Sequence, residues 1–416
     1  MPSVLSVLAR HRDFRRLFLA ELVVFGGDWF AVIPLMSLLM DLTGRGIWGA
    51  FALAADTMAL ALLLPYAGTV ADRLDRRKIL VTTSLLALVA VAVLLAVRSP
   101  GMAWLGPAAI GVLGAAKAFY TPAALAALPN LVPPEDLSTA NAIAGSAWGT
   151  MLVVGASLGG VMAAVVGPYA CFLITAACLL AATWLVWRVR RPMQEERTTE
   201  PTRALVALRE ALGYIRRHPR VLSLVTVKSA VGVGNGVLAT FPLLAAGFGL
   251  GPVGNGLLFA ARGLGALTGP LLMRRVLGHR SWLLPGLAVS MGLYGLAYLG
   301  VAASRWYVLT LVLVVTAHLA GGGNWTMSNF ALQIEVPDAL RGRVFATDMM
   351  IATLAVSVSL LVVGALVDAV DARLLIACCA SATLVYAVGW RLATRRQSLA
   401  DRAGVAGSPA TLPGQP

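Results

Sequence analysis

The chain has little charge. Asp, Glu, Lys and Arg make up 12% of its 416 residues, about half the share found in soluble domains. Mean hydropathy is +0.82 over the whole length, which excludes a soluble domain carrying one anchor, since a water-exposed module would pull that average down. Lysine is scarcer still: Lys78, Lys117 and Lys228 are the only three. None follows a glycine, so the Gly-Lys-Ser/Thr step of a phosphate loop is missing and ATP hydrolysis is excluded as the energy source. Of four histidines only His318 lies in an apolar run, and no His-Glu-x-x-His pattern occurs, so no metal site is expected. The cysteines Cys171, Cys178, Cys378 and Cys379 lack paired zinc-ligand spacing and read as small buried packing residues. Gly232, Gly234 and Gly236 imitate a dinucleotide fingerprint with no strand before them, and no cofactor is expected. No nucleophile and base constellation stands out, which argues against an enzyme. The lack of a folded soluble module argues against a receptor or scaffold.

What the chain does have is long apolar runs. A helix needs about 20 apolar residues to cross the hydrocarbon. The runs place helices at about 17–40, 47–67, 79–97, 103–128, 140–166, 168–189, 221–247, 253–273, 281–303, 306–333, 344–369 and 373–391. Unbroken runs of this length exclude a transmembrane β-barrel. The fold expected is an all-α membrane protein of twelve transmembrane helices.

Net charge is +14, yet the basic residues sit in short loops and not on a folded water-exposed face, so a nucleic-acid partner is not indicated. The loops on one side, with both chain ends, carry 26 of the 33 Lys and Arg residues, whereas the other side has only Arg45, Arg98, Arg305 and Arg373. By the positive-inside rule both termini face the cytoplasm. The first run is too long for a signal-peptide core, lacks a convincing cleavage site and reads as a retained helix.

Residues 190–220 form the longest polar stretch and divide the chain. The expected organisation is a bundle at 1–189, a cytoplasmic linker at 190–220, a second bundle at 221–393 and a disordered cytoplasmic tail at 394–416. Within the linker, 203–217 reads either as a basic amphipathic helix on the inner leaflet or as plain solvated chain. The two halves are weakly alike. Residues 126–142 (AALPNLVPPEDLSTANA) match 330–346 (FALQIEVPDALRGRVFA), and 68–80 match 269–284, each pair keeping its place and orientation. Parallel repeats of this kind mark one large class of secondary transporters.

Gly68-Thr69-Val70-Ala71-Asp72-Arg73-Leu74-Asp75-Arg76-Arg77-Lys78 resembles the signature loop of the major facilitator superfamily, Gly-x-Leu-Ala-Asp-Arg-x-Gly-Arg-Lys, with Val70 and Asp75 as departures. Residues 12–30, 128–143 and 336–346 are similar to the branch that includes the enterobactin and macrolide exporters. The resemblance covers both halves and implies the major facilitator fold of two parallel six-helix repeats. It also implies a proton-coupled efflux antiporter for drugs or secreted natural products such as macrolides or siderophores; uptake of a small nutrient, proton-coupled or facilitative, is the alternative. A multi-pass monomer in the bacterial cytoplasmic membrane, with the bilayer, protons and a small amphipathic substrate as partners, is expected. The loop of Gly68, Asp72, Arg73, Arg76, Arg77 and Lys78 is expected to gate, with Asp72 meeting the start of the eleventh helix near Arg343 and Val344; a simple positive-inside anchor is the other reading. Gly155, Gly159 and Gly160 keep part of the family's antiporter stretch, with Ala156 where proline is expected. Close helix packing by small residues is an equal reading.

Ionisable groups inside spans cost about 3 kcal/mol at the bilayer centre and mark function by default. They are Glu21 and Asp28 on the first span, Asp56, Lys117, Lys228, Arg262, His318 and Asp348. Asp28, with Glu21, is the expected proton carrier: desolvation favours its neutral form, and the approach of Lys117 or Lys228 favours the carboxylate. Standing beside this is a static reading, with Glu21–Lys228 or Asp28–Lys117 as permanent ion pairs. Asp56, Arg262 and Asp348 are expected in structural or gating pairs. Trp29, Phe30, His318, Asn324, Trp325 and Asn329 are candidate substrate contacts for a bulky amphipathic molecule; belt tryptophans and a hydrogen-bonded packing histidine are the plainer readings.

Overall fold

The structure is a computed structural model that describes residues 4–194, 204–277 and 280–402; within these, a few side chains, that of Asp72 among them, lie outside the description. Sixteen α-helices and two short 3-10 segments, with no strand, are the elements of the described residues. In chain order the helices are α1 (Val4–Arg10), α2 (Arg12–Thr43), α3 (Ile47–Arg73), α4 (Arg76–Leu94), α5 (Leu105–Leu131), α6 (Pro134–Val166), α7 (Pro168–Trp187) and α8 (Ala204–Arg217). They continue with α9 (Pro219–Gly234), α10 (Phe241–Gly247), α11 (Gly251–Leu277), α12 (Arg280–Ala303), α13 (Tyr307–Glu335), α14 (Asp338–Leu366), α15 (Ala372–Ala393) and α16 (Arg395–Arg402).

Local chemistry sets the ends of these helices. Asp75 accepts the backbone N–H groups of Arg77 and Lys78 at the start of α4, and Asp371 does the same for Arg373 and Leu374 at α15, each satisfying free donors of a first turn. Asp75, one of the departures from the family loop, therefore works as a helix cap. Prolines open α6, α7 and α9, where a missing N–H costs nothing. The expected seventh span breaks into α9, a 3-10 stretch at Asn235–Thr240 and α10. At the break Gly234 and Gly236 let the Tyr294 ring and Ser359 press against the backbone: a Cβ there would lie 2.5 Å and 2.3 Å from them. These glycines serve packing.

Eleven helical stretches among the described residues are long and apolar enough to cross a membrane. The expected eighth span corresponds to α11, a helix of 27 residues that falls outside this set; glycines, Asn255 and Arg262 dilute its apolarity. The two halves pack alike. In the first, α3 lies on α5, α2 on α6, and α4 on α7; in the second, α11 lies on α13, α9 on α14, and α12 on α15. Between halves the contacts run along α3–α14 and α6–α11.

The polar linker contains a helix: α8 packs on α9 and α14 and buries Ala211 and Ile215. Residues 395–402, expected within a disordered tail, form α16, because Arg220 Nη1 meets Asp401 at 2.8 Å and the carboxylate side chain is 1% exposed. Residues 403–416 lie outside the described ones. Cys171 and Cys379 are buried as expected; Cys378 is exposed and Cys178 half-buried, because α7 and α15 turn part of their surface outward, where an apolar side chain can face lipid.

Candidate functional site

The interior charges gather into two clusters. In the first half Lys117, on α5, places Nζ 2.7 Å from Asp28 Oδ2 on α2 and 2.7 Å from Asp56 Oδ1 on α3. The approach of α5 to α3 depends on Gly114, where a Cβ would lie 2.4 Å from the Asp56 carbonyl oxygen; any larger residue would push Lys117 away from Asp56. Asp28 Oδ1 is buried without a hydrogen-bond partner among the described residues. Beside the pair lies a cavity of about 20 Å³, bounded by Tyr120, Thr83, Ser84 and Thr175, large enough for one water molecule.

In the second half Lys228, on α9, donates to Asn329 Oδ1 at 2.7 Å and to Asp348 Oδ2 on α14 in a tight ion pair. Its ammonium sits 5.0 Å from the centre of the Trp325 ring, a cation–π distance. Lys228 and Asp348 are each 1% exposed.

Two expected partnerships change. Lys228 pairs with Asp348 and not with Glu21, because α9 packs against α14 and turns that face away from α2. Glu21 is buried and has no ion pair among the described residues. Arg262, expected in a pair, has no carboxylate within ion-pair distance among the described residues; it lies between the rings of Trp29 at 5.7 Å and Trp148 at 5.8 Å.

Among the expected substrate contacts, Trp29 is buried between halves and its ring centre is 5.3 Å from that of Phe259 on α11. Phe30 packs by Gly159. His318 shares a hydrogen bond of 2.8 Å with the Tyr298 hydroxyl inside the second half. Asn324 donates to Ser290 Oγ at 2.9 Å and is fully buried, so it tethers α13 to α12. Trp325 and Asn329 surround Lys228.

At the end remote from the termini the halves are closed. Asp368 Oδ1 accepts the Gly46 N–H at 2.6 Å, and Arg45 stands 3.4 Å from the same carboxylate. Deeper in, Ser357 Oγ donates to Thr57 Oγ1 at 2.8 Å. On the other seam α6 and α11 touch backbone to backbone: a Cβ on Gly160 would lie 2.6 Å from the Pro252 carbonyl oxygen. Neither Asp368 nor the Thr57–Ser357 pair stands out in the sequence, since single polar residues at helix ends and spaced hydroxyls give no pattern. At the terminal end, nothing lies within 4 Å of a Cβ built on Gly68. The basic loop here ties its own half together: Arg76 Nη1 donates to the Ala126 and Met193 carbonyls at 2.7 and 3.0 Å, and Arg77 donates to that of Arg191 at 3.2 Å. Arg343 pairs with Glu210 of α8. The expected Asp72 contact lies outside the described side chains.

Two like-folded helical repeats, meeting along two seams around a charged interior and closed at one end, define a membrane transporter of the two-repeat type. The chain belongs to the Major Facilitator Superfamily, whose model matches residues 17–347. It is 24% identical over 364 residues to the multidrug efflux pump Tap of Mycolicibacterium fortuitum, covering 84% of this chain and 88% of that one. Over 361 residues it is 26% identical to the enterobactin exporter EntS of Citrobacter koseri, covering 82% of each. A crystal structure of the nucleoside transporter NupG superposes with a TM-score of 0.73 at 14% identity, covering 92% of this chain and 99% of that one. That likeness shows the fold alone.

Proposed function

We propose that the protein is a proton-coupled exporter of drugs or secreted natural products, working as a monomer in a bacterial cytoplasmic membrane with both termini inside. Export is supported by its similarity to an efflux pump and a siderophore exporter. The observation that carries the coupling is the arrangement around Lys117: the two carboxylates of Asp28 and Asp56 share one ammonium, and the next cation, Arg262, acts on Asp56 only from beyond ion-pair distance. A surplus negative charge at low dielectric is relieved by a proton. With the termini inside, the closed end faces outward, and the Asp28–Lys117 contact is the arrangement expected after the proton has left for the cytoplasm. Trp29, Trp148 and Trp325, beside Arg262 and Lys228, suit a bulky amphipathic cargo with aromatic surface.

The test is accumulation of a panel of dyes, antibiotics and siderophores in a pump-deficient bacterium, with and without a proton uncoupler. The expected result is lowered accumulation of at least one panel member, abolished both by the uncoupler and by Asp28→Asn. Lowered accumulation that survives Asp28→Asn removes Asp28 from the coupling step. Raised accumulation of any panel member turns the direction to uptake.

A further inference from the structure

A second charged cavity lies apart from the interior clusters. It forms where the start of α2, the end of α5 and the segment after α7 meet, has a volume of about 380 Å³, and is lined by Arg10, Arg12, Arg16, Arg190 and Arg191, with Asp13 the only carboxylate in its wall among the described residues. That carboxylate is already engaged: it accepts from Arg16 at 2.7 Å and from the backbone N–H groups of Arg190 and Arg191 at 3.2 and 2.9 Å. Arg16 and Arg191 spend further donors on the Arg188 and Leu131 carbonyls. Arg10 stands 3.7 Å from Asp136, which His11 also holds at 2.7 Å. The guanidinium groups of Arg12 and Arg190 have no partner among the described residues, and His11 places no side-chain cap on the first turn of α2.

Five guanidinium groups around the occupied carboxylate of Asp13, with Asp136 behind Arg10 alone, leave a positive surplus that an anion relieves. Guanidinium forks match phosphate oxygens in pairs, and the open first turn of a long helix adds to the same field. The depth of the cavity is fixed by α7: Trp184 and Trp187 end that helix 53% and 65% exposed, with Arg188 over the Trp184 ring at 4.9 Å, the arrangement of a membrane-interface belt. Arg190 and Arg191 follow directly, at headgroup level.

We propose that this cavity binds a negatively charged phosphate group, as presented by an anionic phospholipid headgroup or by free phosphate. The full-length protein in neutral detergent is titrated with phosphatidylglycerol, phosphatidylcholine and inorganic phosphate, and binding is read by native mass spectrometry and thermal unfolding. Phosphatidylglycerol is expected to bind saturably and raise Tm, phosphatidylcholine is not, and Arg12→Gln/Arg190→Gln weakens phosphatidylglycerol binding roughly tenfold or more. Arg98→Gln, at the opposite end, leaves it unchanged. Phosphate acting alone, with the same sensitivity to the double variant, assigns the site to a soluble anion. Arg190→Gln, whose side chain holds nothing within the protein, replaces the double variant if the latter does not fold. Binding of phosphatidylglycerol no tighter than phosphatidylcholine together with no effect of phosphate overturns the proposal, as does unchanged phosphatidylglycerol binding in a variant that unfolds at the wild-type Tm.

Discussion

Each half of the molecule buries one lysine, and the two are used differently. Lys228 faces one carboxylate, Asp348, with Asn329 and the Trp325 face completing its shell, and almost none of it is exposed. Its charges match one to one. Lys117 faces two carboxylates, its side chain is 13% exposed, and a cavity large enough for one water touches it. A matched, buried pair resists change in either partner's protonation, since losing one charge strands the other. A mismatched cluster with room for a water beside it tolerates it. The contrast sets a one-to-one ion pair between α9 and α14 apart from the cluster proposed to take up and release a proton.

The largest effect is expected where the matched pair is broken. Lys228→Met leaves Asp348 buried and alone, which costs about 3–5 kcal/mol; the thermal unfolding midpoint in detergent falls steeply, and Lys228→Met/Asp348→Leu recovers most of the loss. A double variant no more stable than the single one shows that Lys228 is held by more than its partner. Next in size is a split between stability and transport. Asp28→Asn leaves the fold within about 1 kcal/mol of wild type, because Asp56 still faces Lys117, yet uncoupler-sensitive transport falls tenfold or more on the scale that a positioned proton carrier contributes. Parallel unfolding and transport assays of Asp28→Asn and Asp348→Asn check this, and equal losses of stability in the two would erase the distinction between the clusters. The smallest effect belongs to the surface clasp at the closed end. Asp368→Asn weakens an ion pair with Arg45, which is 60% exposed, and costs about 0–1 kcal/mol. A cysteine-labelling assay at Gly46 should show modestly greater access, with little change in Tm.

Much of this was legible in the chain and part of it was not. Apolar run lengths mark the helices because lipid leaves no other way to satisfy backbone donors, and the two-fold likeness of 126–142 and 330–346 announces the repeat. Asp28 and Lys117 were visible as partners, since each is a costly charge on a span near the axis. The other pairings were not. Whether Lys228 meets Glu21 or Asp348 depends on how far α9 is rotated about its axis, and a rotation of one residue position moves a side chain by a large part of a turn. Arg262 eluded a pairing rule altogether because its neighbours are the rings of Trp29 and Trp148, whose negative faces offer a charge partner that no count of carboxylates includes. The helix α16 was hidden because its stabilising contact, Arg220 with Asp401, joins positions 181 residues apart.

The bare contact of Gly160 with the backbone of α11 bears on how easily the two halves move. Interdigitated side chains lock an interface into discrete arrangements, since every shift requires rotamers to repack. At Gly160 and Gly256 main chain meets main chain with no teeth to disengage, whereas farther along the same seam Leu152 and Val153 of α6 press on Gly263 of α11. That point of the seam can act as a pivot, about which one half tilts against the other, with the polar contacts at Gly46 and Thr57 on the opposite seam.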